Sequence, residues 1–188
     1  IVRLVGSEMC IRDSLYFLEE SPRKLCDLLI FKKGYEAVFK KDMKLGTSSL
    51  RRKMQAKFHL SSNNISSLNG NIDTRLKKLN DGHYDCIILA KAGLSRLNYL
   101  LKDQNYIELS HVTCSGQGAL AVQWKKGSKV EEFLKSSLVT HESDDLNIGI
   151  QMERDLLRKL EANCNSAISL HASDGILKGE IFGLEKFI

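Results

Sequence analysis

The sequence predicts an α/β fold with a mainly parallel sheet, and three observations carry that prediction. First, short apolar steps alternate with helical patterns three times. Met43 and Leu45 precede a helix with Leu50, Met54 and Phe58 at i, i+4 and i+8; Ile65 to Leu68 precede one with Leu76 and Leu79; Tyr84 to Ala90 precede one carrying Arg96. Second, each junction is a short turn of small or polar residues. Third, every helix brings arginine to its strand end: Arg51 and Arg52, Arg75, and Arg96. Such alternation implies parallel strands, whose ligands bind in the crevice beyond the strand carboxyl ends. The convergence of guanidinium groups there points to an anion.

The first junction is Gly46-Thr47-Ser48-Ser49-Leu50-Arg51-Arg52. Gly46 is read as supplying backbone freedom, and the hydroxyls of Thr47, Ser48 and Ser49 as acceptors that cap the helix. Arginine in a first helical turn opposes the positive end of the helix dipole. Arg51 and Arg52 make sense there if an anion normally occupies the turn, because a helix N-terminus with guanidinium forks cradles carboxylate or phosphate. A solvated basic turn is the competing reading, and this motif alone does not choose between them.

Size and composition narrow the class. The 188 residues, 43% apolar, are enough for one or two globular domains with a real core. The net charge of +5 comes from basic residues interleaved with acids, so it does not mark a nucleic-acid binder. Cys10, Cys26, Cys86, Cys114 and Cys164 are odd in number and lack a CxxC pair, which points to free thiols and no metal cluster. His59 and His83 have no partner at ligand spacing and read as surface or loop residues. No apolar run reaches the ~20 residues that cross a bilayer, and no secretory signal is evident.

Residues 1–14 fit none of the later pattern and are read as an unrelated leader. Pro22 marks a turn, and Leu28 to Phe31 read as a strand. Gly116-Gln117-Gly118 is a turn before a strand over Ala119 to Trp124. Val130 to Leu138 reads as an amphipathic helix. A longer helix spans about Asp145 to Leu160, with Ile148, Met152, Leu156 and Leu160 as its apolar stripe. Cys164 follows in a short loop. It is either a small buried residue or, beside Arg154, Arg158 and Lys159, a thiol with an enlarged thiolate fraction. Ile168 to Leu170 and Gly179 to Phe187 read as strands.

The segments GTSSLRR (46–52), GNIDTRL (70–76), YDCIILAKAGLSRL (84–97), GQGAL (116–120) and MERDLLRKLEANC (152–164) resemble the porphobilinogen deaminase (hydroxymethylbilane synthase) family in order and spacing. The resemblance runs from about residue 15 to the end. It implies a periplasmic-binding-protein-like lobe over 15–112, a hinge and returning part of a first domain over 113–143, and part of a small α+β C-terminal domain over 144–188. It also implies an enzyme, a transferase of tetrapyrrole (haem) biosynthesis. Such an enzyme condenses four porphobilinogen units head to tail, releasing ammonia, on a dipyrromethane cofactor joined to cysteine by a thioether.

Carried over residue by residue, the resemblance makes Cys164 the attachment point. Arg51, Arg52, Arg75 and Arg96 become clamps for pyrrole carboxylates, with Thr47, Ser48 and Ser49 binding one carboxylate and Gln117 facing the cleft. Bidentate arginine suits such a ligand, since each pyrrole adds two carboxylates and guanidinium stays charged. The implied partners are porphobilinogen and linear polypyrroles, with no nucleic acid and no membrane, for a cytoplasmic monomer.

Departures from the family are also legible. The family's catalytic aspartate belongs to a first-domain segment with no counterpart here, so no catalytic residue is assigned and the chain alone is expected to be inactive. Asp73 and Asp85 read as structural, at a helix start and a strand edge. Asn69 stands where the family usually has arginine. Ala162-Asn163 replaces Gly-Gly, and alanine would strain that loop if its glycines adopt φ > 0. A diverged, non-catalytic anion-binding α/β module is the alternative reading.

Overall fold

A computed structural model describes residues 14–17, 25–99, 101, 104–123, 132–133, 144–162 and 166–183. Strand β1 (Ser14–Phe17) lies apart from the strand-helix units that follow it. Those units begin with β2 (Asp27–Phe31) and β3 (Leu45–Gly46), then α1 (Leu50–Leu60), β4 (Ile65–Ser66) and α2 (Ile72–Asn80). They continue with β5 (Cys86–Ala90), α3 (Lys91–Arg96) and β6 (Tyr106–Leu109). Strand β7 (Leu120–Gln123), α4 (Asp144–Lys159), β8 (Ile168–Ser173) and β9 (Ile176–Ile181) complete the described elements.

The α/β expectation holds. A five-stranded sheet runs in the order β4-β3-β5-β2-β6. Strands β4, β3 and β5 are parallel, whereas β2 pairs antiparallel with both β5 and β6. The carboxyl ends of the three parallel strands therefore feed α1, α2 and α3 side by side. Strand β6 was not foreseen: its pattern mixes exposed Tyr106 and Glu108 with inward Ile107 and Leu109, the mark of an edge strand.

Strands β2 and β5 are covered on both faces, which is why they read as unbroken apolar runs. Their alternate residues split into two cores. Leu28, Ile30, Ile87 and Leu89 pack with Leu68, Leu76, Leu79 and Leu94 beneath α2 and α3. Leu29, Phe31, Cys86 and Ile88 pack with Leu45, Ala56 and Leu109 on the α1 side. Each such fully buried aliphatic side chain contributes about 1.5–3 kcal/mol.

Gly46 is needed for space rather than for backbone freedom. A Cβ there would lie 2.8 Å from the Tyr84 ring. Two helix faces also differ from their expected ones. In α1 the buried residues are Arg51, Gln55 and Ala56, while Phe58 is 74% exposed. In α4 the inward stripe is Ile150, Glu153, Arg154 and Leu157, with Ile148 and Leu160 outside. Both helices bury polar groups that have partners, and apolar periodicity cannot detect that.

Strands β1 and β7 form an antiparallel pair, and β8 and β9 form a hairpin against which α4 packs. The hairpin turns at Asp174-Gly175, both at positive φ, as a tight two-residue connection requires. Strand β8 runs past the expected end at Leu170, β9 begins before the expected Gly179 and ends at Ile181, and 184–188 lie outside the described residues. So does the expected helix over 130–138, apart from residues 132–133.

Candidate anion-binding site at the strand ends

The site is built around a residue that the sequence did not mark. Asp27 opens β2 at 4% exposure, and its carboxylate sits among groups from two other segments, α1 and the Gly116 turn. Arg51 Nη2 donates to its Oδ2 at 2.9 Å, and Arg52 grips it side-on, Nε to Oδ2 at 3.0 Å and Nη2 to Oδ1 at 2.7 Å. Gln117 Nε2 donates to Oδ1 at 3.1 Å. Burial alone would push this carboxyl up, but the Arg52 and Arg51 charges and hydrogen bonds outweigh it and hold it at about 2. The anion that offsets the first-turn arginines is thus internal.

Asp27 offsets only one of those two positive charges. Arg52 Nη1 has a single long contact, 3.4 Å to the Ile88 carbonyl. Arg75, at the next strand end, is held by its Nε on the Gly70 carbonyl at 2.7 Å. Its pKa is lowered by burial and then by the Arg52 charge, so the two guanidiniums share one neighbourhood. Arg96, from the third strand end, donates to the Gly118 carbonyl at 2.8 Å, next to Gln117. The parallel strands therefore do bring Arg52 and Arg75 together, and Arg96 braces the Gly116-Gln117-Gly118 turn.

The hydroxyls divide their work. Ser49 caps α1, accepting from Arg52 N at 3.4 Å, and Thr47 Oγ1 accepts from Ser49 N at 3.3 Å. Ser48 instead reaches across to the loop after β4. Its Oγ donates to Asn69 Oδ1 at 2.7 Å and lies 2.9 Å from Ser67 Oγ. Asn69 thus occupies a place beside the site. Asp73 lies in the first turn of α2, which Asn71 caps, and Asp85 accepts from Lys44 N at 2.7 Å. Both stand where expected, at a helix start and beside a strand edge.

The described cysteines differ in setting. Burial, then Glu108, raises the Cys26 thiol to about 11; burial, then Asp85, raises Cys86 to about 12. Neither is a thiolate at neutral pH. Cys114 is exposed, its Sγ 3.4 Å from Gln117 Oε1. Cys164 and Cys10 lie outside the described residues. Ala162 escapes the strain expected of it, because positive φ falls on Glu161 instead. No cluster of three or more possible metal ligands occurs among the described residues, and no helix there is long and apolar enough to cross a membrane.

Fold and site together define a class: an α/β lobe with surplus guanidinium charge at its parallel strand ends. Residues 16–132 match the family model for "Porphobilinogen deaminase, dipyromethane cofactor binding domain". The chain belongs to the porphobilinogen deaminase family. Relatives named porphobilinogen deaminase include one from Campylobacter hominis, 37% identical over 79% of this chain and 47% of its own length. Another, from Listeria welshimeri, is 38% identical over 66% of this chain and 41% of its own length. The chain thus spans less than half the length of these relatives. Among solved structures, an ancestral arginine-binding protein bound to glutamine aligns at 15% identity and a TM-score of 0.42, over 73% of this chain and 59% of that one.

Proposed function

We propose that this chain is the cofactor-holding part of a porphobilinogen deaminase (hydroxymethylbilane synthase), a transferase that condenses four porphobilinogen units head to tail with release of ammonia. The observation that carries this reading is the surplus positive charge at Arg52 and Arg75. One buried carboxylate meets two arginines, and a third guanidinium, Arg75, has its pKa lowered by burial and then by the Arg52 charge. A ligand bearing carboxylates at regular intervals fits that arrangement. The family model, matched on the dipyrromethane-binding domain, supports the same ligand.

When bound, dipyrromethane supplies the pyrrole end to which each new unit is joined. The chain's own residues do the holding. Arg52 Nη1 and the free edge of Arg75 would take carboxylates, with the Ser48 hydroxyl and the α1 N-terminus beside them. Arg51 is engaged on Asp27 and Gln55 and acts by fixing Arg52's counter-ion. Gln117 and Arg96 shape the turn at the cleft edge. Cys164 is the attachment point by its match to the family segment. Asp27, ionised between two arginines, is poorly placed to move protons, so the chain alone should bind without turnover. The proposal extends to domains over 15–112, 113–143 and 144–188, to porphobilinogen and linear polypyrroles as partners, and to a cytoplasmic monomer.

A second reading has one observation in its favour. Asn69 stands in place of a family arginine and is already engaged by Ser48, as in a diverged anion-binding module that is no longer catalytic. Intact mass separates the two. After incubation with hydroxymethylbilane, the chain should gain a two-pyrrole adduct that a Cys164→Ser variant lacks. No adduct, or an equal adduct on both, would count against the first reading.

A further inference from the structure

We propose that Gln55, with Glu180 and His59, is a positioning joint that registers the hairpin following Cys164 against the arginine pair of α1. The inference rests on the reading of Cys164 as the attachment point. Arg51, Gln55 and His59 are spaced i, i+4 and i+8, so they form one stripe along α1. At its start the stripe touches the site, through Arg51 on Asp27. At its end it touches β9, where His59 Nε2 lies 2.8 Å from Glu180 Oε1. Gln55 joins the two ends.

Its amide is buried and fully occupied. Oε1 accepts from Arg51 Nη1 at 2.7 Å. Nε2 faces Glu180 Oε2 at 2.5 Å, the Val112 carbonyl at 2.7 Å and Ser169 Oγ at 3.0 Å. One side chain therefore bridges the arginine helix, the segment before the Gly116 turn, and both strands of the hairpin. A buried amide is costly unless bonded, and an aliphatic residue here would leave the Val112 carbonyl and Glu180 short of donors. Stacking of His59 on His111, at 4.2 Å and 14°, further fixes the contact.

The hairpin has a second anchorage, to the segment around the Gly116 turn. Glu153, fully buried in α4, accepts from Gly116 N at 2.7 Å and from Ala172 N at 2.9 Å. Leu170 N also donates to the Thr113 carbonyl at 3.1 Å. Adhesion alone is thus served elsewhere, and the Gln55 stripe is distinguished by ending on Arg51. Since Cys164 precedes β8 by only four residues in sequence, the register of β8 against α1 bounds how far that cysteine can lie from the arginine pair.

The test compares the full chain with Gln55→Leu and with the milder Glu180→Gln. Hydrogen exchange is followed in segments 168–181 and 86–90, alongside the rate of two-pyrrole adduct formation from hydroxymethylbilane. The joint predicts exchange about tenfold faster in 168–181 for Gln55→Leu, with 86–90 unchanged, and an adduct rate lower by a similar factor. Glu180→Gln should shift both readouts in the same direction by less, and it decides the matter if Gln55→Leu does not fold. Unchanged hairpin exchange, or equal acceleration of both segments, would overturn the joint. So would a loosened hairpin that loads at the normal rate. If the unaltered chain forms no adduct, the proposed function fails while the exchange comparison still judges the joint.

Discussion

Helix α2 buries Leu76 and Leu79, whereas α1, fed by the neighbouring parallel strand, buries Arg51 and Gln55 and leaves Phe58 in solvent. Both follow strand ends of one sheet, and both are capped by a side chain, Ser49 or Asn71. The difference lies in what each faces. Helix α2 covers an apolar core whose contacts are interchangeable in direction. Helix α1 lies over Asp27 at one end and Glu180 at the other, and its contacts are directional hydrogen bonds with specific atoms. A helix that serves a site can have its inward face set by the site, with the apolar side chains displaced outward.

The largest expected effect tests that contrast directly. Asp27→Ala leaves Arg51 buried without its carboxylate, and loss of one partner of a buried pair costs about 3–5 kcal/mol. Urea unfolding should show it; a loss below 1 kcal/mol would mean that α1 is held otherwise. Next, Leu76→Ala in α2 should cost about 3 kcal/mol through an ordinary cavity. That cost should not vary with pH, since no charge changes.

Acid supplies the third comparison. The Asp27 carboxyl is held at about 2 against an ordinary 3.8, so the folded state binds fewer protons than the unfolded one. Its contribution is complete above 3.8 and is lost as pH falls toward 2, roughly 2 kcal/mol in all. Chemical unfolding at pH 5 and at pH 2.5 should reveal this loss in the natural chain, and Asp27→Asn should flatten it. An unchanged slope in the variant would remove Asp27 from the account. The smallest effect is expected at Phe58. Phe58→Ser sacrifices edge contacts with His59 at 5.0 Å and with Phe182 at 6.0 Å and should cost less than about 1 kcal/mol. A larger cost would restore the apolar face that periodicity assigned to α1.

Much of the fold was legible because it is written locally. The boundaries of α1, the Leu76–Leu79 face of α2 and the core run of β5 follow from periodicity and turn chemistry over a few residues. The placing of Arg52, Arg75 and Arg96 at neighbouring strand ends follows from the same alternation, since parallel strands order their exits. Periodicity failed on α1 and α4 for one reason. It counts apolar side chains, and these helices bury Arg51, Gln55, Glu153 and Arg154 instead.

What the sequence by itself determined is the set of strand-helix units and the family to which they belong. Tertiary structure decided which groups neutralise which. Asp27 lies 24 residues from Arg51, and Gln55 lies 125 residues from Glu180. Apolar burial is a property each residue carries with it, so its pattern survives in one dimension. An ion pair or a buried hydrogen bond exists only when a particular partner arrives at the right distance and angle. That information is absent until the chain has folded.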